Sequence, residues 1–543
     1  MSSHAIFTAM ERYGSRRCPV DRMSSKLRRL LIYIETKTQQ RKESTMKRSF
    51  AIVLTVVMLF ALFVSPGLAR DTDELIVLQE SEVVGLDLMR SSLQNTMSVC
   101  YNLHDTLFFP QEDASVKPAL AEKWEKIDDL TWKITLRKGV KFHNGEPVNA
   151  EAVKFSFDRI FNPEIKCPHK GKLSAFKEVV VLDDLSFKIM TNDPFAPGLY
   201  ILGIYFPIVP PKYIQEVGDK KFNTSPIGCG PYRLKKWMRG ESVILERFEG
   251  YYGPKPYYKT VVFKTVPEPA ARIAALITGE ADVISGVPVH KRTEIEASGK
   301  AYLSSQMGVM PYLGLNTYKA PFDDVRVRQA VNYAINRELI NKALFGDKAI
   351  ICKGPISPRT FGSDPGLKPY PFDPAKAKAL LAEAGYENGI EVRFAYPTYM
   401  SQIQEQAEAI AAGLADAGIK TKLEPFERAV MWQRYKAKKH QMYIYWWDDA
   451  PEPDRYMYSL FHSQSRDYYY KNPTVDVLLD LGRTILDRNE RAKVYNKIDQ
   501  VLYEDCPWAY LYVIPEVFGV SNKVFYEGNR DGFLNMRWAK PKN

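Results

Sequence analysis

Apolar side chains recur along this chain in two rhythms, and the clearest run of them lies in the C-terminal half. Residues 391–396 (Glu-Val-Arg-Phe-Ala-Tyr) read as a strand. Over 402–417, Ile403, Ala407, Ile410, Ala411 and Leu414 fall on one helical face, and Gly418 supplies the stop. Alternation over 419–423 predicts a second strand, 427–438 can form another helix, and 442–447 reads as a third strand. Strand, helix, strand, helix, strand at this spacing argues for parallel βαβ units. Upstream, Asp373 is placed as a helix N-cap, with Pro374 in the first turn and Gly385 just past the end. A longer helix is expected over 324–345, with Val327, Val331, Ile335 and Leu339 on one side and Gly346 at its end. One α/β lobe therefore spans roughly 325–510.

The N-terminal half is also mixed. Strands are expected at 131–136, 186–190, 260–266 and 281–284. Asn149 should cap a helix running to about residue 160, and 269–278 should form a helix closed by Gly279. Two α/β bodies on one chain leave a cleft between them, and such clefts are common ligand sites.

Composition fits a globular protein, with 45% apolar and 26% charged residues among 543. Aromatics reach 12%, including 32 tyrosines and 8 tryptophans, which suits a core and also a pocket for small molecules. The net charge of +11 belongs mostly to a tail: residues 1–69 hold 12 Lys/Arg against 4 Asp/Glu. The rest is close to neutral, so the basic stripe that nucleic-acid binding requires is missing. Within the tail, Met46-Lys47-Arg48 precedes a largely apolar run from Phe50 to Val64, and Ser65-Pro66-Gly67-Leu68-Ala69 offers a cut after Ala69. That is the build of a secretory signal peptide. The run of 15 residues is short of the roughly 20 that span a membrane. Residues 1–45 show no core pattern, and Met46 is the expected start of translation.

Cys18 lies in the tail; Cys100, Cys167, Cys229, Cys352 and Cys506 remain. Export permits a disulfide, but five is odd, so at least one thiol stays unpaired within the chain, and the connectivity is open. The chain contains no CxxC. The histidines at 104, 143, 169, 290, 440 and 462 are isolated, with no i, i+4 pair for a metal, and no cofactor is expected.

Four ordered segments carry a resemblance. They are Lys117-Pro118-Ala119-Leu120-Ala121-Glu122-Lys123-Trp124 with 132–145, Gly228-Cys229-Gly230-Pro231-Tyr232, then 315–317 with 321–335, and Tyr370 with 373–377 and 380–386. Together they resemble the family 5 extracellular solute-binding proteins of ABC transporters, which include dipeptide, oligopeptide and nickel binders. The resemblance covers about 75–535. It implies an α/β fold of the type II periplasmic-binding-protein kind: two lobes joined by hinge strands, an extra subdomain in one lobe, and closure on ligand. The expected divisions are an extension over 1–45, a signal peptide over 46–69, first-lobe residues 70–117, the subdomain over 118–229, first-lobe residues 230–324, the second lobe over 325–510 and a return over 511–543. Hinge crossings are expected near 228–232, 315–322 and 505–515, with Cys229 buried close to one of them.

The candidate site centres on Tyr443-Ile444-Tyr445-Trp446-Trp447-Asp448-Asp449-Ala450-Pro451-Glu452-Pro453-Asp454, whose acids stand at the carboxyl end of a strand, where α/β sheets bind ligands. In peptide-binding relatives an aspartate just before a Pro-Asp pair accepts the ligand's ammonium, and Asp449 stands in that place. Such a charge-assisted bond contributes on the order of 1.5–3 kcal/mol. Trp446 and Trp447 could stack on the ligand, and Asp448 is a second acid; a solvated loop is the plain alternative. Glu452 and Asp454 are expected as structural caps. Arg359, in a Pro-rich loop of the same lobe, could grip a carboxylate bidentately, with a surface arginine as the alternative. Arg137 belongs to a segment near the cleft in relatives, with surface charge as its plainer reading.

The expected function is capture of a di- or oligopeptide, or similar amine-bearing solute, in the periplasm by a monomer that delivers it to membrane permease subunits of an ABC importer. A sugar, an opine or a metal chelate on the same scaffold is the alternative ligand, because the pocket and not the fold sets it. An exported hydrolase using Asp448 and Glu452 is the reading from another class; the chain carries no HExxH, GxSxG or P-loop.

Overall fold

One long sheet runs through the structure, a computed structural model that describes residues 72–542 apart from 401, 466–468 and 529–531. The expected extension over 1–45 and signal segment over 46–69 lie outside the described residues. In chain order the main strands are β1 (Glu74–Gln79), β2 (Tyr232–Met238), β3 (Ser242–Arg247), β4 (Thr260–Thr265), β5 (Val283–Ile284), β6 (Ala301–Leu315), β7 (Ile390–Pro397), β8 (Ile419–Phe426), β9 (Met442–Asp448) and β10 (Tyr512–Ser521). Their order across the sheet is β8-β7-β9-β6-β10-β5-β1-β4-β3-β2.

At one end, β7 pairs in parallel with both β8 and β9, the βαβ geometry that periodicity predicts. The helices Ile403–Asp416 and Arg428–Lys436 make the two crossovers. Both faces of this part are covered. Val392, Phe394, Ile410, Leu414 and Ile444 share one core, while Met310, Tyr312, Tyr443, Met431 and Leu502 share another. At the other end β1 pairs in parallel with β4 and β5. Leu75 and Val77 pack to one side with Val261 and Phe263, and Ile76 and Leu78 to the other with Ile273 and Leu276. Continuous apolar strands of this kind are buried on both faces.

A subdomain hangs on the first lobe. Its antiparallel sheet orders Ala121–Lys126, Thr131–Leu136, Ser186–Thr191 and Phe176–Val181. The helix Ala150–Phe161 covers it, and the Asn149 side chain accepts from the Ala152 amide at 3.0 Å as its N-cap.

Two strands are continuous through both lobes. β6 pairs with β10 over 301–305 in the first lobe and with β9 over 309–315 in the second. The register between β6 and β10 shifts between Ser305 and Gly308, where the lobes meet. The crossing thus lies upstream of 315–322 and at the end of 505–515. The stretch 228–232 does not cross: Gly228 and Gly230 press against the backbone of Asn102 and Leu103, inside the first lobe, where a Cβ on Gly228 would fall 1.9 Å from the Leu103 carbonyl oxygen.

The single helix expected over 324–345 is two, Val325–Tyr333 and Arg337–Phe345. Asn336 breaks it, because its side chain accepts from the Leu339 amide at 2.9 Å and starts a new helix in a new phase. Leu339, expected on the buried side, is consequently 61% exposed. The five described cysteines are all buried and free of disulfides, Cys229 among them.

Candidate functional site

Both lobes bound a cavity of about 530 Å³ beside the crossing strands. The first lobe contributes Glu80 from the end of β1, Ser285–Val289 after β5, and Arg292. The second contributes Val309, Pro311, Tyr399, Arg428 and Trp446, and β10 closes the floor with Ile514–Phe518. A larger cavity of about 830 Å³ lies among Tyr101, Asp105, Arg137, Tyr252 and Trp538. It is built from the first lobe and the C-terminal return alone, whereas the smaller cavity has walls from both lobes.

The alternation of β9 divides the candidate residues between two faces. Trp446 points into the interlobe cavity, its ring 5.6 Å from that of Tyr399. Trp447 points the other way, against the core around Tyr443 and Tyr456. There the first lobe covers it: Lys172 stands 5.8 Å over its ring and donates to the Arg455 carbonyl at 2.9 Å. The Ala196 amide donates to the Arg483 carbonyl at 2.6 Å, so the lobes touch on this side. Asp448 is half-exposed and meets Arg455 at 3.6 Å.

Asp449 is fully buried, and its carboxylate meets the Arg359 guanidinium at 3.3 Å. The local chain explains the pairing. The Asp449 amide donates to the Gly308 carbonyl at 2.8 Å, which pins it at the crossing. The Arg359 loop runs alongside: Thr360 Oγ1 donates to the Ala450 carbonyl at 2.7 Å and the Phe361 amide to that of Pro451 at 3.0 Å. Ser357 Oγ accepts from the Arg359 amide at 3.2 Å. Beyond Asp449 the loop is clamped by two ion pairs, one buried and one partly exposed. Arg491 grips Glu452 through two nitrogens, at 2.9 and 2.5 Å, and Arg483 grips Asp454 at 2.7 and 3.2 Å. Glu452 also accepts from the Asp454 amide at 3.1 Å, so it is a cap as expected and an anchor besides.

The structure therefore brings Trp446, Trp447, Asp448, Asp449 and Arg359 together at one end of β9. It does not bring Arg137 there. Arg137 donates to the Ala119 carbonyl at 2.6 Å and stands over the Tyr252 ring at 5.9 Å, in the first-lobe cavity.

Sequence reasoning missed Glu80, Ser285, Arg292 and Glu516. They come from segments more than 400 residues apart at the extremes, and no spacing rule joins them. Burial pushes the Glu516 carboxyl up to about 7, with repulsion from Asp448 and Glu80 added and a Gln94 hydrogen bond and Arg292 opposing.

The model of the bacterial extracellular solute-binding proteins, family 5, matches residues 115–468, more than half of the chain. The chain belongs to this family. Among its relatives, the dipeptide-binding protein of Escherichia coli is 32% identical, over 72% of this chain and 80% of its own. A glutathione-binding protein of Pectobacterium atrosepticum is 29% identical, over 79% of this chain and 87% of its own. An ABC transporter-associated periplasmic binding protein of Helicobacter pylori, solved with the peptide STSA, shares the fold. Its TM-score is 0.72 and its identity 27%, over 87% of this chain and 98% of its own. Family 5 members bind solutes rather than transform them, and they have the two-lobed architecture described above. Among the described residues no helix is long and apolar enough to cross a membrane.

Proposed function

We propose that this family 5 protein is an exported receptor of an ABC importer, cut after Ala69 and working as a monomer. Its solute is a di- or oligopeptide, or a similar amine-bearing molecule, held between the lobes and passed to the permease subunits. The observation that carries the reading is the Asp449–Arg359 pair at the carboxyl end of β9, beside the crossing strands. A peptide needs one carboxylate for its ammonium and one cation for its carboxylate, and these two stand together. At 3.3 Å their contact is longer than the ~2.7–2.9 Å of a charge-assisted hydrogen bond. A zwitterion can separate them and form a better bond with each. Arg359, still 22% exposed, is the movable partner, while Asp449 is fixed and enclosed. Trp446 on the cavity wall offers a face for the peptide backbone. Relatives named for dipeptide and glutathione binding, and a neighbour solved with a peptide, support the same class of solute.

Two measurements test this. Mass spectrometry of solute released from the purified protein should find intact peptides. Calorimetry should show Asp449→Asn weakening peptide binding by about tenfold or more, at least 1.4 kcal/mol. Unaltered affinity in the variant removes Asp449 from the site, and a released sugar or metal chelate in place of a peptide overturns the solute class.

A further inference from the structure

The larger cavity, about 830 Å³, takes no part in the proposed capture of a peptide. It stands back to back with the interlobe cavity. The helix Gln94–Leu103 sends Gln94, Asn95 and Ser98 to the interlobe side and Tyr101 to the other. The C-terminal return does the same, with Leu534 on one side and Arg537 and Trp538 on the other. Hydrogen bonds join helix and return into one wall between the cavities. The Leu534 amide donates to Ser98 Oγ at 3.1 Å. The Asn102 side chain donates to the Leu534 carbonyl at 2.9 Å and accepts from the Met536 amide at 2.8 Å.

Part of the lining is preformed. Asp105, 2% exposed, accepts from the hydroxyls of Tyr251 and Tyr252, both at 2.9 Å, and is paired with Arg537 at 2.5 Å. Arg537 also donates to Tyr251 Oη at 2.9 Å and to Asn535 Oδ1 at 3.0 Å. The two buried charges cancel, and the network fixes both tyrosines. Phe109, Phe525 and Trp538 extend the aromatic lining, with Trp538 55% and Phe525 36% exposed. Trp538 meets Phe109 edge-on at 6.4 Å. Ring surface left open to water in a concave site, beside a few fixed polar groups, is the make-up of a small-molecule pocket.

The ring faces narrow what that molecule is. Arg137 stands over Tyr252 at 5.9 Å, Arg537 over Phe109 at 4.9 Å and Lys540 over Phe525 at 5.1 Å. These rings already have their cations, so a positively charged solute meets like charges there. Arg137 is half-buried; its Nε donates to the Ala119 carbonyl at 2.6 Å. Its Nη1 and Nη2 form no hydrogen bond or ion pair among the described residues. Glu112 and Glu527 line the cavity too, but both are exposed, as is Lys117, and water screens all three.

We propose that the first-lobe cavity is a second binding site, for an aromatic carboxylate: Trp538 and its aromatic neighbours take the ring, and Arg137 takes the acid. The site does not depend on what the interlobe cavity holds.

Calorimetry and saturation-transfer NMR on the purified protein, with indole-3-propionate and tryptamine as an anion and a cation on the same ring, test it. The wild type should bind indole-3-propionate and prefer it to tryptamine by about tenfold or more. Trp538→Ala should weaken that binding by about tenfold, and Arg137→Gln should cut the preference to about threefold or less. Trp538 is exposed, so its variant serves if Arg137→Gln does not fold. Trp446→Ala, which alters the interlobe cavity, should leave indole-3-propionate binding unchanged. No binding of indole-3-propionate, equal binding of tryptamine, or binding that survives Trp538→Ala each overturns the site. Binding that Trp446→Ala abolishes belongs to the interlobe cavity and overturns it as well.

Discussion

Buried carboxylates in this protein have two fates, set by what reaches each of them. Glu452 is met by a bidentate arginine. Asp499 is not: among the described residues it accepts from the backbone amides of Ile356 and Asp364, at 3.1 and 3.0 Å. Burial pushes its carboxyl up from 3.8 to about 7, the amides oppose the shift, and Asp364 adds to it. A raised carboxyl binds its proton more tightly in the folded state. Its contribution to stability is then fully present below about pH 4 and is lost as the pH rises through about 7. Asp499→Asn has no proton to lose. The melting temperature of the variant minus that of the wild type should therefore climb between pH 5 and pH 8 in a thermal-denaturation series. A flat difference would show that Asp499 is ionised throughout. The loop that Asp499 holds, Ile356 to Asp364, carries Arg359, so the same acid also positions the movable half of the charged pair.

The elements were legible wherever one rhythm and a stop signal coincided. The helix Pro269–Thr278 ends at Gly279 with φ at 85°, as its sequence announces. The helix Ile403–Asp416 and the strands flanking it follow from a single apolar face and an alternating run. The helix over 324–345 misled because Val327, Val331 and Ile335 keep the period up to the break, while the capping power of Asn336 is felt only once the chain turns. Close approach between elements is the part that sequence hides. Gly389, at φ 78°, opens β7, and a Cβ on it would fall 2.3 Å from the carbonyl oxygen of Gly418, which leads into β8. Gly389→Ala should thus destabilise the protein by about 1–3 kcal/mol through a strained backbone and a parted strand start. Urea denaturation reads this directly, and an unchanged midpoint would mean that the two strand starts can separate freely.

At the scale of the molecule, the candidate site was half legible. Trp446 and Trp447 share one strand, Asp449 stands just past its end, and all three could be read in a single glance along the sequence. Arg292, Ser285 and Glu516 could not, because only the fold brings 285 next to 516. The contacts between lobes belong to this scale too. Lys172 spans from the subdomain to the Arg455 carbonyl and the Trp447 ring. It ties the two lobes together without lining the interlobe cavity. Lys172→Ala should shift the population toward open forms and weaken solute binding severalfold through that shift. Small-angle X-ray scattering at sub-saturating solute should report a larger radius of gyration than for the wild type, and identical curves with identical affinities would show that this contact does not bias closure.

The place of β10 in the sheet has a consequence for how the molecule is made. It is inserted between β6 and β5, so residues 512–521 join two sheet halves assembled from everything before them. Until that segment emerges from the ribosome, each half presents a raw edge, and Ala301 must wait for Ser521, its partner across 220 positions of sequence. Assembly of this kind is late and slow. A nascent chain arrested short of residue 512 should remain soft to protease and prone to edge-to-edge association.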